Sequence, residues 1–225
     1  MNQTMKLLLS FGFYMLAGFG ISITIFAGIG VSSFNALNLS LATVLEVEIG
    51  TVTTVLNIFF LSVYALLTHF KLQTKYLMQF SAAIAFGSVI NIFTYYIFNN
   101  LVLTHYLTKV AVFCVGVTIS GISTGMILYL DILTFSIESV CTELSSRLDV
   151  PFHKLRYSFD ILCVTGSIVM TKYFRNPVNV REGTLISMFL LTFWMHTTVA
   201  WMHKKIPKYA NWDYYSLHNL TFEII

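Results

Sequence analysis

The stretch Ala27 to Gly50, "AGIGVSSFNALNLSLATVLEVEIG", decides how this chain folds. It follows an apolar run over 7–27 that is long enough to cross a bilayer, which takes about 20 largely apolar residues. A polar loop belongs at such a place. This segment instead has no Lys or Arg, and its only acids, Glu46 and Glu48, stand near its end. Gly28 and Gly30 relax the backbone where the first run stops. Ser32 or Ser33 is placed to cap a new helix running from about Phe34 to Leu45. Twelve residues rise about 18 Å, too little to cross the hydrocarbon core. The short helix is therefore either re-entrant or interfacial, and Leu37, Leu39, Leu41, Val44 and Leu45 favour its partial burial.

Composition sets the solvent. Of 225 residues 56% are hydrophobic and only 10% charged, with 20 Phe and 12 Tyr, more apolar surface than a water-soluble domain of this size can hide. The chain is an integral membrane protein with lipid as partner. The net charge of +3 comes from basic residues set singly at the ends of apolar runs, which gives no nucleic-acid footprint. Cys114, Cys141 and Cys163 have no pair spacing and read as small buried hydrophobes. Lys6 and the apolar run after it imitate a signal peptide, but the run is about twice the length of a signal core, so a first transmembrane helix is expected.

Six runs qualify as spans: about 7–27, 50–68, 76–98, 107–130, 157–171 with a polar front end from Pro151, and 183–203. The tail 204–225 carries Trp212, Tyr214 and Tyr215, which suit a headgroup zone. With six spans both termini share one face, where nine basic residues gather against four (Lys109, Lys172, Arg175, Arg181) on the other. The positive-inside rule then puts both termini, and an interfacial tail, in the cytoplasm.

The opening stretch has a counterpart at Asp131 to Pro151, "DILTFSIESVCTELSSRLDVP". Sliding the chain by 103 positions sets Gly18 on Gly121, Ile29 on Ile132, Ser33 on Ser136, Leu45 on Leu148 and Ile58 on Ile161 without a gap. Three spans separate the copies, so the second enters the membrane from the opposite side. The expected fold is an all-α polytopic membrane protein, a single domain with a 3+3 inverted repeat in halves 7–98 and 107–203. Each half carries a short helix, at about 33–45 and 134–147.

Ionisable groups inside a span are costly unless they face protein, a partner or water. Asp160 lies about ten residues past Pro151, and its mate at the 103 offset is Asn57. Glu138 is likewise mated to Asn35. Inverted repeats bring such positions together near the midplane, so Asp160, Asn57, Glu138 and Asn35 form a candidate polar centre. The plainer reading has Asp160 answering Arg156 one turn earlier, Glu138 solvated, and Asn57 bonded to a neighbouring helix. Asn91 and His196 are secondary candidates within the third and sixth spans. Ala82, Ala83, Ala85 and Gly87, and Gly116, Gly121 and Gly125, mark close helix contacts.

The segment "GFGISITIFAGIGVSSFNALNLSLATVLEVEIGTVTTVLNIFF" resembles the start of the bacterial YczE-like integral membrane proteins, grouped broadly with the YyaS and YitT proteins. The matching positions are Ile29-Gly30, Phe34, Asn35, Ala36-Leu37-Asn38 and Gly50. The chain departs where that family usually has an acid, at Asn35, and has Phe135-Ser136 in place of a Gly-Pro while keeping Glu138. The resemblance implies a bacterial cytoplasmic-membrane protein of a group often suspected of transport, without naming a substrate.

No P-loop, dinucleotide fingerprint, HExxH or paired metal-ligand spacing occurs, so no enzyme, cofactor or metal is expected. Broken helices, inverted repeats and buried carboxylates point to secondary transport of a small solute or cation. Six spans make a small transporter and favour a homodimer. The alternative is a non-catalytic accessory or scaffold protein docking a partner membrane protein.

Overall fold

The computed structural model describes residues 3–176 and 179–205. The interfacial tail expected beyond Lys205 lies outside the described residues. Regular structure among those described is all helical. The elements are α1 (Gln3–Ala27), α2 (Ser33–Leu45), α3 (Ile49–Leu67), α4 (Gln73–Asn91) continued by a π-helical turn (Ile92–Ile97), α5 (Tyr106–Leu130), α6 (Ser136–Leu148), α7 (Phe152–Phe174) and α8 (Glu182–Lys205).

The first break is set by backbone geometry. Gly28 and Gly30 take φ of +68° and +135°, and a Cβ on Gly30 would stand 2.7 Å from the Thr184 nitrogen. Glycine therefore lets the break press against the start of α8, where the Gly183 N–H donates to the Ile29 carbonyl at 3.0 Å and Arg181 Nη1 to the Gly28 carbonyl at 2.9 Å. Ser32 takes the N-cap position of α2 without a capping side-chain bond. Its hydroxyl accepts from Asn35 Nδ2 at 2.9 Å, and Ser33 reaches another helix, so neither serine caps through its side chain as expected.

The second break, at 131–135, is held from α4. Gln79 is fully buried, and its Nε2 donates to the Thr134 carbonyl at 3.1 Å, to Thr134 Oγ1 at 2.9 Å and to Ser139 Oγ at 3.1 Å. Asp131 there has φ of +50°, the left-handed geometry that Gly28 takes in the first break. Asp149 and Glu46, which follow α6 and α2, are left-handed too, at +53° and +54°. Both ends of α5 and of α6 fall 103 residues after those of α1 and α2, and α7 starts 103 after α3.

At the centre α1 runs against α5, with Gly20 and Gly116 facing each other so closely that a Cβ on either would lie 2.8 Å from the other's carbonyl oxygen. α4 packs on α1 and α3, and α8 packs on α5. The expected small-residue contacts are present: Ala82 and Ala83 are fully buried, Gly87 abuts Gly50, and Gly121 and Gly125 receive α8 at Trp194 and Thr198. The short helices close a ring of four: α2 packs on α7 and α3, and α6 packs on α3 and α7.

Five helices (α1, α3, α4 with its π-helical turn, α5 and α8) are long and apolar enough to cross a membrane. This is the build of a helical membrane protein. The fifth of the six expected spans, α7, is not among them, although it has 23 residues. Its low apolarity has a geometric cause. Asp160, Ser167 and Thr171 are buried against the protein, while Ile161, Leu162 and Val169 face outward. α2 shows the same inside-out pattern, with Ser33, Asn35, Asn38 and Ser40 buried and Leu45 exposed.

Candidate functional site

The ring of α2, α3, α6 and α7 holds two polar clusters of opposite character. In the first, Arg156 of α7 stands between two carboxylates. Its Nη1 lies 3.4 Å from Asp160 Oδ1 on the same helix, and its Nη2 lies 3.7 Å from Glu138 Oε1 on α6. The i,i+4 spacing on α7 sets the Asp160 pair, and the packing of α6 on α7 supplies Glu138. Asp160 also accepts a short hydrogen bond from the Ser33 hydroxyl of α2. Asp160 is 8% exposed and Ser33 3%, so both are poorly screened, whereas Arg156 and Glu138 are half-buried, with side chains 26% and 16% exposed.

Hydrogen bonding in this cluster is incomplete. Glu138 Oε2 is buried with no hydrogen-bond partner, and Arg156 Nη1 has only the ion-pair contact. Two carboxylates against one guanidinium leave a net charge of −1 when all are ionised. A proton or a small cation would bring the group to neutrality. Cys141 and Cys163 are buried beside it, as expected of small apolar residues, and keep the surroundings poorly polarisable by water.

About two turns further along, a second polar contact joins α2 to α7. Ser40 Oγ and Ser167 Oγ share a bond of 2.7 Å, Ser167 reaches the Ala36 carbonyl at 3.2 Å, and Asn179 Nδ2 donates to Ser40 at 3.0 Å. Gly166 stands where a Cβ would touch Leu37 at 3.2 Å, which lets the two helices approach. These bonds fasten α2 to the second half of α7 and to the segment beyond its C-terminal end.

The second cluster is neutral. Asn38 Nδ2 donates to Thr53 Oγ1 at 3.0 Å, Thr53 bonds back to the Ile49 carbonyl at 2.8 Å, and Asn57 Nδ2 donates to the Thr53 carbonyl at 2.9 Å. Asn38 Oδ1 and Ser136 Oγ remain buried without partners. Thr53 and Asn57 stand 103 positions before Arg156 and Asp160, and Asn35 and Asn38 stand 103 before Glu138 and Cys141.

Of the expected polar centre, then, Glu138 and Asp160 are brought together, through Arg156. Asn57 and Asn35 are buried but turn back onto their own helix or its cap, and no hydrogen bond among the described residues joins them to the charged pair. Asn91 proves to be a helix cap. Its Oδ1 accepts from the Gly50 N–H at 2.6 Å and its Nδ2 donates to Thr51 at 3.2 Å, while Tyr95 takes the Ile49 N–H. His196 is half-buried on α8, away from the ring helices.

Sequence reasoning took Arg156 only as a rival explanation for Asp160 and passed over Ser33, Ser40 and Ser167 as site residues. An arginine one turn before an aspartate, near the start of an otherwise apolar helix, was the available signal. Nothing local marked the serines.

The two best-formed cavities, of about 410 and 360 Å³, lie at the outer ends and flank of α1 and α5 and not within the ring. Comparison with curated proteins and with solved structures gives no match. Residues 4–199 match a family of unknown function, DUF6198, and with nearly its whole length matched the chain belongs to that family.

Proposed function

We propose that this protein is a proton-linked secondary transporter of a small solute, with Glu138, Arg156 and Asp160 as the coupling group. One observation carries the reading: two carboxylates, Asp160 buried and Glu138 half-buried, share the single Arg156 guanidinium where α6 meets α7, and Glu138 Oε2 and Arg156 Nη1 lack hydrogen bonds. An intramembrane cluster with room for one more positive charge is costly to keep, and function is the usual reason for keeping it. A proton on Glu138 or Asp160 would free Arg156 to pair with the other carboxylate alone. Protonation would thereby alter the hold of α7 on α6, and the Ser33 bond to Asp160 would carry the change to α2.

The reading includes the YczE-like likeness and a 3+3 inverted repeat with six crossings and cytoplasmic termini. Support for the repeat comes from the helix boundaries shared at an offset of 103, from the left-handed residues at matching places, and from reciprocal packing of α2 on α7 and α6 on α3. α7 then serves as a crossing helix whose polar face is covered by α2 and α6.

The test is proton entry into proteoliposomes carrying an internal pH dye, scanned against a panel of small solutes. Solute-evoked acidification is expected, and Asp160→Asn or Glu138→Gln should abolish it while the protein stays monodisperse. Flux that survives both substitutions would remove the coupling role. The alternative, a membrane accessory protein docking a partner, draws on the peripheral placement of both large cavities. Absence of flux with every solute, together with co-purification of a stoichiometric membrane partner, would favour it.

A further inference from the structure

The two cavities follow the same pair of helices, one turn apart. The larger lies against Gly28 at the end of α1, Tyr106 and Lys109 at the start of α5, and Arg181 and Glu182 at the start of α8. The smaller is a wholly apolar crevice lined by Phe19, Ile23, Phe26 and Phe98 with Val112 and Val115. Lys109 and Val112 are three apart on α5 and so share a face. Phe26 lies in the last turn of α1 and Gly28 just past its end. The crevice from Phe19 to Phe26 is about 10 Å long along the helix axis, roughly a third of the hydrocarbon thickness.

Chemistry matches this layout. The Lys109 ammonium makes no hydrogen bond or ion pair with a described residue, and it sits in the first turn of a helix apolar enough to cross the membrane. Arg181, whose Nη1 holds the Gly28 carbonyl, adds a second positive charge, and Glu182 subtracts one. The net of +1 stands beside the start of α5, next to a slot with no polar lining. Phe98 closes the slot by packing its ring on Phe26 at 5.0 Å between centroids and on Phe19 at 6.4 Å.

We infer that this face binds one anionic phospholipid, its phosphate at Lys109 and Arg181 and one acyl chain along Phe19–Phe26 and Val112. A free anion would use the first cavity alone, and an uncharged lipid the second alone. Only an anionic lipid uses both.

Native mass spectrometry of the purified full chain, offered equal amounts of phosphatidylglycerol and phosphatidylcholine, tests this. The expected result is selective retention of one phosphatidylglycerol. Lys109→Gln should lower that retention about fivefold, the worth of one lysine near an anionic headgroup. Val112→Trp, which fills the crevice, should abolish it with helix content unchanged. Lys172→Gln, an exposed charge at the end of α7, should leave it unaltered and so control for general surface charge. Equal retention of the two lipids, or retention unaffected by Lys109→Gln and by Val112→Trp, would overturn the site. So would inorganic phosphate binding to the lipid-free protein with the same dependence on Lys109, because the crevice would then contribute nothing.

Discussion

The two polar clusters of the four-helix ring differ in chemistry far more than in position. One holds Glu138, Arg156 and Asp160; the other holds Asn38, Thr53 and Asn57, of which Thr53 and Asn57 stand 103 residues before Arg156 and Asp160. On the neutral side Asn57 is met on its own helix by the Thr53 carbonyl one turn back, and Asn38 of α2 reaches only the neighbouring α3, at the Thr53 hydroxyl. On the charged side the partners come from three helices: Ser33 of α2, Glu138 of α6 and Arg156 of α7. A local bond fastens a side chain to its own helix. A shared charge fastens helices to one another, and makes their contact depend on protonation.

The largest expected effect is from breaking the charged side alone. Arg156→Met leaves Glu138 and Asp160 without their shared cation, and should cost about 3 kcal/mol in unfolding free energy measured in detergent, the low end for a broken buried pair because Arg156 and Glu138 are only half-buried. Removing all three charges together, as Glu138→Gln with Arg156→Met and Asp160→Asn, should recover most of that loss, since no charge is left unpaired. The triple variant should also lose solute-evoked proton flux. If the single and triple variants are equally unstable, the charges are not acting as a mutual set.

Next in size is the second break. Gln79→Leu takes the side-chain donor from the Thr134 carbonyl, while the Thr134 and Ser139 hydroxyls keep their mutual bond of 2.6 Å, and should cost about 1–2 kcal/mol. Hydrogen exchange should rise first in 131–139, while 28–33, held by Gly183 and Arg181, stays protected. Loss of protection in both segments would contradict separate anchoring. The smallest effect is on the neutral side. Thr53→Val removes the Asn38 contact and should cost about 0.6 kcal/mol, as for typical hydrogen bonds between helices in a membrane. Proton flux in that variant should match wild type. A loss as large as that of Arg156→Met would erase the distinction between the clusters.

What the sequence alone determined was local. Apolar run lengths gave the long helices, Gly28 and Gly30 the first break, and the self-match the short helices, whose observed limits of Ser33–Leu45 and Ser136–Leu148 lie within two residues of those expected. Helical hydrogen bonds join residues four apart, and backbone dihedrals belong to single residues, so such features are written in neighbouring positions. Asp160 was also legible, because a charge in an apolar run stands out, and Glu138 through its match to Asn35 at the 103 offset.

Their company was decided only by the tertiary structure. That α2 lies on α7 and α6 on α3, that Arg156 is shared by two carboxylates, that Gln79 clamps a loop 55 residues away and that Ser33 reaches Asp160 across 127 residues depend on which helix faces meet. Lipid tails are as apolar as leucine, so hydropathy marks a helix as membrane-compatible without saying which neighbour it will choose. The choice falls to close packing at Gly20, Gly116, Gly50 and Gly87 and to polar groups seeking partners, and both are properties of the assembled bundle.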